Sequence, residues 1–149
     1  NPLREIPNSS LHGINDSQVA GKPPISAVLP RLFSFIGNHT VVGHRVVFDL
    51  FALSHEARRT GLALPLDTSN HIDTKRLSVH YGAPNLTLAA MDAHFDRTGH
   101  AQTRFHTAAD DVDASVGVFG GLARGFGTSR EMFDVLSRPV RAKSLPFGK

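Results

Sequence analysis

The chain has 149 residues, 40% of them hydrophobic and 19% charged, which suits one globular domain and excludes a disordered segment. It contains no cysteine, so disulfides and thiolate zinc sites are excluded and an intracellular, cytoplasmic protein is expected. Lys and Arg outnumber Asp and Glu by 16 to 13 and the sequence pI is near 9.8, a balance that suits a polyanionic partner, although the basic residues are dispersed enough for a solvated surface to account for them.

No apolar run reaches the roughly 18 residues of a membrane span, and Asn1-Pro2-Leu3-Arg4-Glu5 reads as neither a signal peptide nor a basic amphipathic leader, so no membrane partner is expected. Up to Pro24 the chain carries Pro2, Pro7, Gly13, Gly21, Pro23 and Pro24 among polar residues and reads as connecting loop. From Ile25 to Ile36 the apolar positions Ile25, Val28, Leu29, Leu32, Phe33 and Ile36 follow helical spacing, and Gly37-Asn38 ends the helix. Thr40-Val41-Val42 is a β-branched run suited to a short buried strand.

Past Gly43-His44-Arg45, the residues Val46, Val47, Leu50, Phe51, Leu53 and Ala57 predict a second helix, closed by Arg58-Arg59 and Gly61. His71-Ile72-Asp73-Thr74 starts a strand or leads into a short helix through Leu77. Asn85 to Phe95 is a third helix with Leu88, Met91 and Phe95 on one side. The last clear helix carries Ala108, Val112, Val116, Phe119 and Ala123 on one stripe. Beyond Gly127 the chain reads as a linker with one amphipathic piece, Arg130 to Leu136. Helices alternating with short strands predict an α/β layered fold.

Asp49 is unusual because it stands inside Val46-Val47-Phe48-Asp49-Leu50-Phe51, where a buried carboxylate would need a compensating partner. An exposed position on its helix or near the helix start, where the dipole favours an anion, is the preferred explanation from these residues alone. In Phe105-His106-Thr107-Ala108-Ala109-Asp110-Asp111-Val112-Asp113 the acids separate by helix geometry. Thr107 and Asp110 form a capping-box-like pair. At about 100° per residue, Asp111 is the acid nearest the Val112, Val116, Phe119 stripe, so His106 and Asp111 can face one site. Carboxylates that hold divalent cations and an imidazole that accepts a proton from water suit metal-assisted hydrolysis. The other histidines lack the spacing of a zinc site and read as surface residues, and the glycines from Gly120 to Gly127 lack the Lys-Ser/Thr of a phosphate loop.

Several segments, in order, resemble the DEDDh-type 3′–5′ exonucleases, the DnaQ-like branch of the ribonuclease-H-like fold that includes polymerase III epsilon and exonuclease X-like proteins. These are Asn1-Pro2 with Ile6-Pro7, His12-Gly13-Ile14-Asn15, Val42-Gly43-His44 with Phe48-Asp49, His71-Ile72-Asp73-Thr74, and His106 with Asp111. The resemblance covers residues 1–127 and implies a ribonuclease-H-like mixed sheet flanked by helices. It makes Asp49 and Asp111 ligands of two Mg²⁺ or Mn²⁺ ions and His106 the general base. His12 and Phe48 would lie beside the terminal nucleotide, with ordinary core packing as the alternative for Phe48. For Asp73, helix capping is preferred over metal binding.

Two departures stand out. The family usually has Asn after the His of its second motif, where this chain has Arg45. The family also takes two carboxylates from an Asp-x-Glu on its first strand, and no Asp-x-Glu occurs in the chain. Residues 1–127 are therefore read as a partial domain lacking the N-terminal strands. Residues 128–149 are read as a linker toward a missing C-terminal module, whose start Leu145-Pro146-Phe147-Gly148-Lys149 resembles. The expected function is release of nucleoside 5′-monophosphates from 3′ ends of single-stranded DNA or RNA, with this truncated chain itself inactive. The alternative is a non-catalytic nucleic-acid- or protein-binding remnant. A DNA polymerase or a second copy of the chain is the expected protein partner.

Overall fold

The computed structural model describes residues 5–95 and 107–137. Among these, the order is α1 (Ser9–His12), α2 (Asp16–Val19), α3 (Ile25–Ile36), β1 (Val41–Gly43), α4 (Val47–Arg59), β2 (His71–Asp73), α5 (Thr74–Tyr81), α6 (Leu88–Phe95), α7 (Ala108–Ala123) and α8 (Ser129–Ser137). The chain divides into two compact units, Asn1–Val41 with Val47–His71, and Val42–Val46 with Ile72–Lys149. The strands pair as a small parallel sheet, giving the mixed α/β class read from the sequence.

In the first unit, the stretch read as loop contains two single turns of helix. The second turn is set by a capping box in which Asn15 and Gln18 exchange side-chain-to-backbone hydrogen bonds. α3 has the predicted bounds and buries Leu29 and Phe33 against Ala57 of α4 and Leu66, with Ile25, Leu32 and Ile36 packed around them. Pro30 lies within α3 beyond its first turn, so it cannot donate to the carbonyl four residues back. Gly37 ends the helix at φ 53°, a backbone setting that favours glycine. Next to that end, Thr40 Oγ1 donates to Asn70 Oδ1 at 2.8 Å and Val41 N donates to Asn70 O at 3.1 Å.

The second unit surrounds a core of Ile72, Leu77, Met91, Val118, Leu122 and Met132. β2 runs directly into α5, so the strand and helix readings of His71–Leu77 both hold in succession. α8 corresponds to the amphipathic piece Arg130 to Leu136 within the stretch read as a linker; it buries Met132 and lays Val135 and Leu136 on the core. Arg76 Nη2 donates to Leu136 O at 2.7 Å, a cation on a carbonyl at the C-terminal end of α8.

The buried stripe of α7 differs from the one predicted. Ala114, Val118, Gly121 and Leu122 are buried, while Val112 and Val116 are 59% and 66% exposed. The physical reason is close helix approach: a Cβ on Gly121 would collide with the Phe95 ring, so the face that carries Gly121, together with Ala114 and Val118, is the covered one, and Val112 and Val116 turn outward. Phe95 also meets Tyr81 edge-on, with centroids 5.3 Å apart, and His94 at 4.8 Å. Among the described residues no helix is long and apolar enough to cross a membrane.

Because Phe95 occupies the space above Gly121, Gly121→Ala is expected to destabilise the protein by about 1–3 kcal/mol in urea unfolding. Gly120→Ala, whose added methyl would meet only Arg124 Nη1 at 4.0 Å, is expected to be neutral or to stabilise by up to about 1 kcal/mol.

Candidate active site

The turn from β1 into α4 is tight because Gly43 leaves no room for a side chain: a Cβ there would lie 3.1 Å from Val46 Cβ. Arg45 follows in the left-handed region at φ 63°. Its N–H donates to Asp73 Oδ1 at 3.0 Å, and the same oxygen accepts from Lys75 N at 2.9 Å. Asp73 is buried and is the N-cap of α5, the structural role preferred for it from the sequence.

His44 braces the same turn. Its Nε2 lies 2.9 Å from Leu86 O and its Nδ1 3.0 Å from Thr74 Oγ1. A carbonyl only accepts, so in the neutral ring Nε2 carries the proton and Nδ1 accepts from the Thr74 hydroxyl. Burial pushes the His44 pKa below its usual value; the Leu86 hydrogen bond and the charge of Asp73 oppose that shift, while Lys75 and Arg45 add to it. From the sequence His44 reads as a surface residue; the structure instead half-buries it between Thr74 and the Leu86 carbonyl.

This turn sets the start of α4. Val46 and Leu50 are buried, while Val47 and Phe48 are 51% and 65% exposed. Asp49 is exposed in the first turn of α4, where the helix dipole favours a carboxylate. The second of the two sequence explanations for Asp49 therefore describes its setting, and the apolar run around it divides between two faces of the helix. Exposure leaves the carboxylate accessible to a ligand.

At α7 Asp110 takes the capping position expected of it, and the acids lie around a different stripe from the one predicted. Thr107 is the N-cap; its hydroxyl donates to Asp110 Oδ2 at 2.6 Å and accepts from Asp110 N at 3.2 Å. Asp111 is half-buried and stands three and seven residues before Ala114 and Val118, so it continues the buried stripe at its N-terminal end. Asp110 is also half-buried, instead of pointing opposite the core, and Asp113 is exposed. Asp111 belongs to the second unit, whereas Asp49, Phe48 and His12 belong to the first.

His12 ends α1 with both ring nitrogens engaged in its own loop. Ile14 N donates to Nδ1 at 3.1 Å, so Nε2 carries the proton and donates to Pro7 O at 2.9 Å. His106 lies outside the described residues. Among the described residues there is no group of three His, Cys, Asp or Glu side chains that could hold a metal ion.

Comparison with known proteins assigns the chain. A family model described as an exonuclease, RNase T, matches residues 5–119. The chain belongs to this exonuclease family. It is 34% identical over 133 residues to a Mycobacterium tuberculosis protein named for bifunctional exonuclease/endonuclease activity, covering 85% of this chain and 20% of that one. It is 25% identical over 127 residues to the PolC-type DNA polymerase III of Clostridium perfringens, covering 85% of this chain and 8% of the polymerase. With the DNA polymerase III subunit epsilon of Rickettsia prowazekii it shares 24% identity over 151 residues, 97% of this chain and 64% of the subunit. The chain thus spans less than two thirds of the length of each of these relatives. No solved structure matches it.

The exonuclease assignment supports the DEDDh, DnaQ-like resemblance and a nuclease enzyme. Arg45 stands in a left-handed position, a region Asn enters more readily than other residues with a Cβ, so the Asn expected here from the resemblance would suit this backbone better than Arg.

Arg45→Asn is accordingly expected to raise stability by about 0.5–1 kcal/mol in urea unfolding while keeping the Asp73 contact, which uses the backbone N–H. His44 gives a pH signature. Its folded pKa lies below the unfolded one, so the unfolded chain binds the proton first and stability falls as pH drops below about 6.5 toward the folded pKa. Unfolding free energies measured from pH 7.5 down to 5 should show this loss, and His44→Gln should flatten the profile in that window.

Proposed function

We propose that this exonuclease domain works in the 3′–5′ direction, releasing nucleoside 5′-monophosphates from single-stranded 3′ ends, with Asp49, Asp111 and His106 as its chemical residues. The observation that carries the reading is the family match, whose span, residues 5–119, includes all three residues.

The donors suit a hard divalent cation, since Asp49 and Asp111 offer carboxylate oxygens at the first turns of two helices. When bound, Mg²⁺ or Mn²⁺ supplies an acidified water and charge neutralisation at the leaving oxygen. Asp49 and Asp111 would hold the ions through their carboxylates, and His106 would accept a proton from the attacking water through a ring nitrogen. The exposed ring of Phe48 forms an apolar wall beside the terminal nucleotide, and His12 offers its ring carbons there while its nitrogens stay engaged. The names of the epsilon and PolC-type relatives favour DNA as substrate and a polymerase as partner.

Two carboxylates make half of the four-carboxylate set of the DEDDh pattern, so the 149-residue chain alone is proposed to be inactive. Release of nucleoside monophosphates from a 5′-labelled single-stranded oligonucleotide in Mn²⁺ tests this. The expected result is background activity for the chain as it stands, and activity for a polypeptide that carries an Asp-x-Glu strand ahead of it. In the longer polypeptide His106→Ala should cost about 10²- to 10⁴-fold, and Asp49→Asn or Asp111→Asn should abolish turnover. No activity from the longer polypeptide would overturn the catalytic reading; activity of the short chain that His106→Ala abolishes would overturn its inactivity.

A further inference from the structure

The helical period sorts α4 into a buried face, centred on Leu50 and Ala57, and an opposite face that carries two aromatic rings and a run of basic groups. On the outward face Phe48 is 65% exposed and Phe51 is 74% exposed, and His55, Arg58 and Arg59 are exposed further along. Phe51 and Arg58 are seven residues apart, so they project within about 20° of one another and lie about 10 Å apart along the axis. Arg59 is tied to Glu56 through Nη2 at 2.6 Å and Nε at 3.0 Å, which partly neutralises it and leaves Arg58 as the cation aligned with Phe51.

An outward phenylalanine this exposed costs hydrophobic burial, and the exposed Val47, Phe48 and Phe51 stand on one helix with two arginines and a histidine, a mixture that suits a polyanion with apolar faces better than a purely apolar partner. An alternation of stackable rings and cations matches a single strand of nucleic acid, whose bases offer π-faces and whose backbone offers phosphates. We propose that the outward face of α4 carries the single strand on the 5′ side of its terminal nucleotide, with a base stacked on Phe51 and phosphates drawn to His55 and Arg58. The proposal rests on the exonuclease reading for its polarity: with the 3′ terminus at Phe48 and Asp49, the preceding nucleotides run toward the C-terminal end of the helix.

The test is fluorescence anisotropy with the 149-residue chain and a 3′-blocked, labelled oligo(dT) in EDTA, where no hydrolysis is involved. Phe51→Ala should weaken binding roughly 5- to 150-fold, and Phe51→Tyr should retain it. Arg58→Ala should reduce the slope of log affinity against log salt by about 0.7, the release of one counterion. These exposed substitutions should leave the circular dichroism spectrum and unfolding midpoint unchanged. Unaltered affinity and salt slope in both variants would overturn the proposal even if the longer polypeptide is an active exonuclease. Weakened binding together with an inactive longer polypeptide would keep the strand surface and remove only its link to catalysis. Sedimentation showing that Phe51→Ala dissociates a dimer, with oligo(dT) affinity unaltered, would assign the face to a second copy and overturn the proposal.

Discussion

One carboxylate oxygen organises the turn on which the candidate site depends. Asp73 Oδ1 accepts from Lys75 N, starting α5, and from Arg45 N, fixing the turn into α4. A buried carboxylate that receives two backbone N–H groups is compensated by strong, charge-assisted bonds, and it ties together segments about thirty positions apart in the chain. The left-handed backbone at Arg45 is a conformational cost carried by the same turn. His44 reinforces the same turn through Thr74 and the Leu86 carbonyl, so a titratable ring shares in a purely geometric task.

The acids of α7 show how one short segment assigns different duties to like residues. Asp110 is committed to Thr107 and closes the helix start. Asp111, one position on, extends the line of small buried residues that lets α6 approach. Its carboxylate is thereby positioned by packing, and substitutions that alter α6–α7 spacing would act on it from a distance.

Much of this was legible because period and punctuation agreed. α3 has its predicted ends because the apolar spacing from Ile25 to Ile36 stops at a glycine that the backbone needs in a positive-φ setting. Asp73 was read as a cap because a strand followed by Asp-Thr leaves helix donors to satisfy. The stripe of α7 was misread because helical spacing allows more than one apolar face, Ala108 to Ala123 through Val116 as well as Ala114 to Leu122 through Val118. Which of them is covered is decided by Gly121 meeting Phe95, and that needs knowledge of the partner helix. The exposure of Asp49 depends on how Val46 to Phe51 divides between faces, and helical phase alone leaves open which face is covered. Arg45 looked like a chemical departure from its family; the backbone preference it departs from shows only with φ in hand.

The edge-on cluster of Tyr81, His94 and Phe95 has a practical consequence. The chain has one tyrosine and no tryptophan, so its tyrosine emission comes from a single ring at the end of α5, in contact with the last residues of α6. That tyrosine band is a built-in optical reporter of whether those two helices are docked, with no label required and no tyrosine in the first unit to add to it.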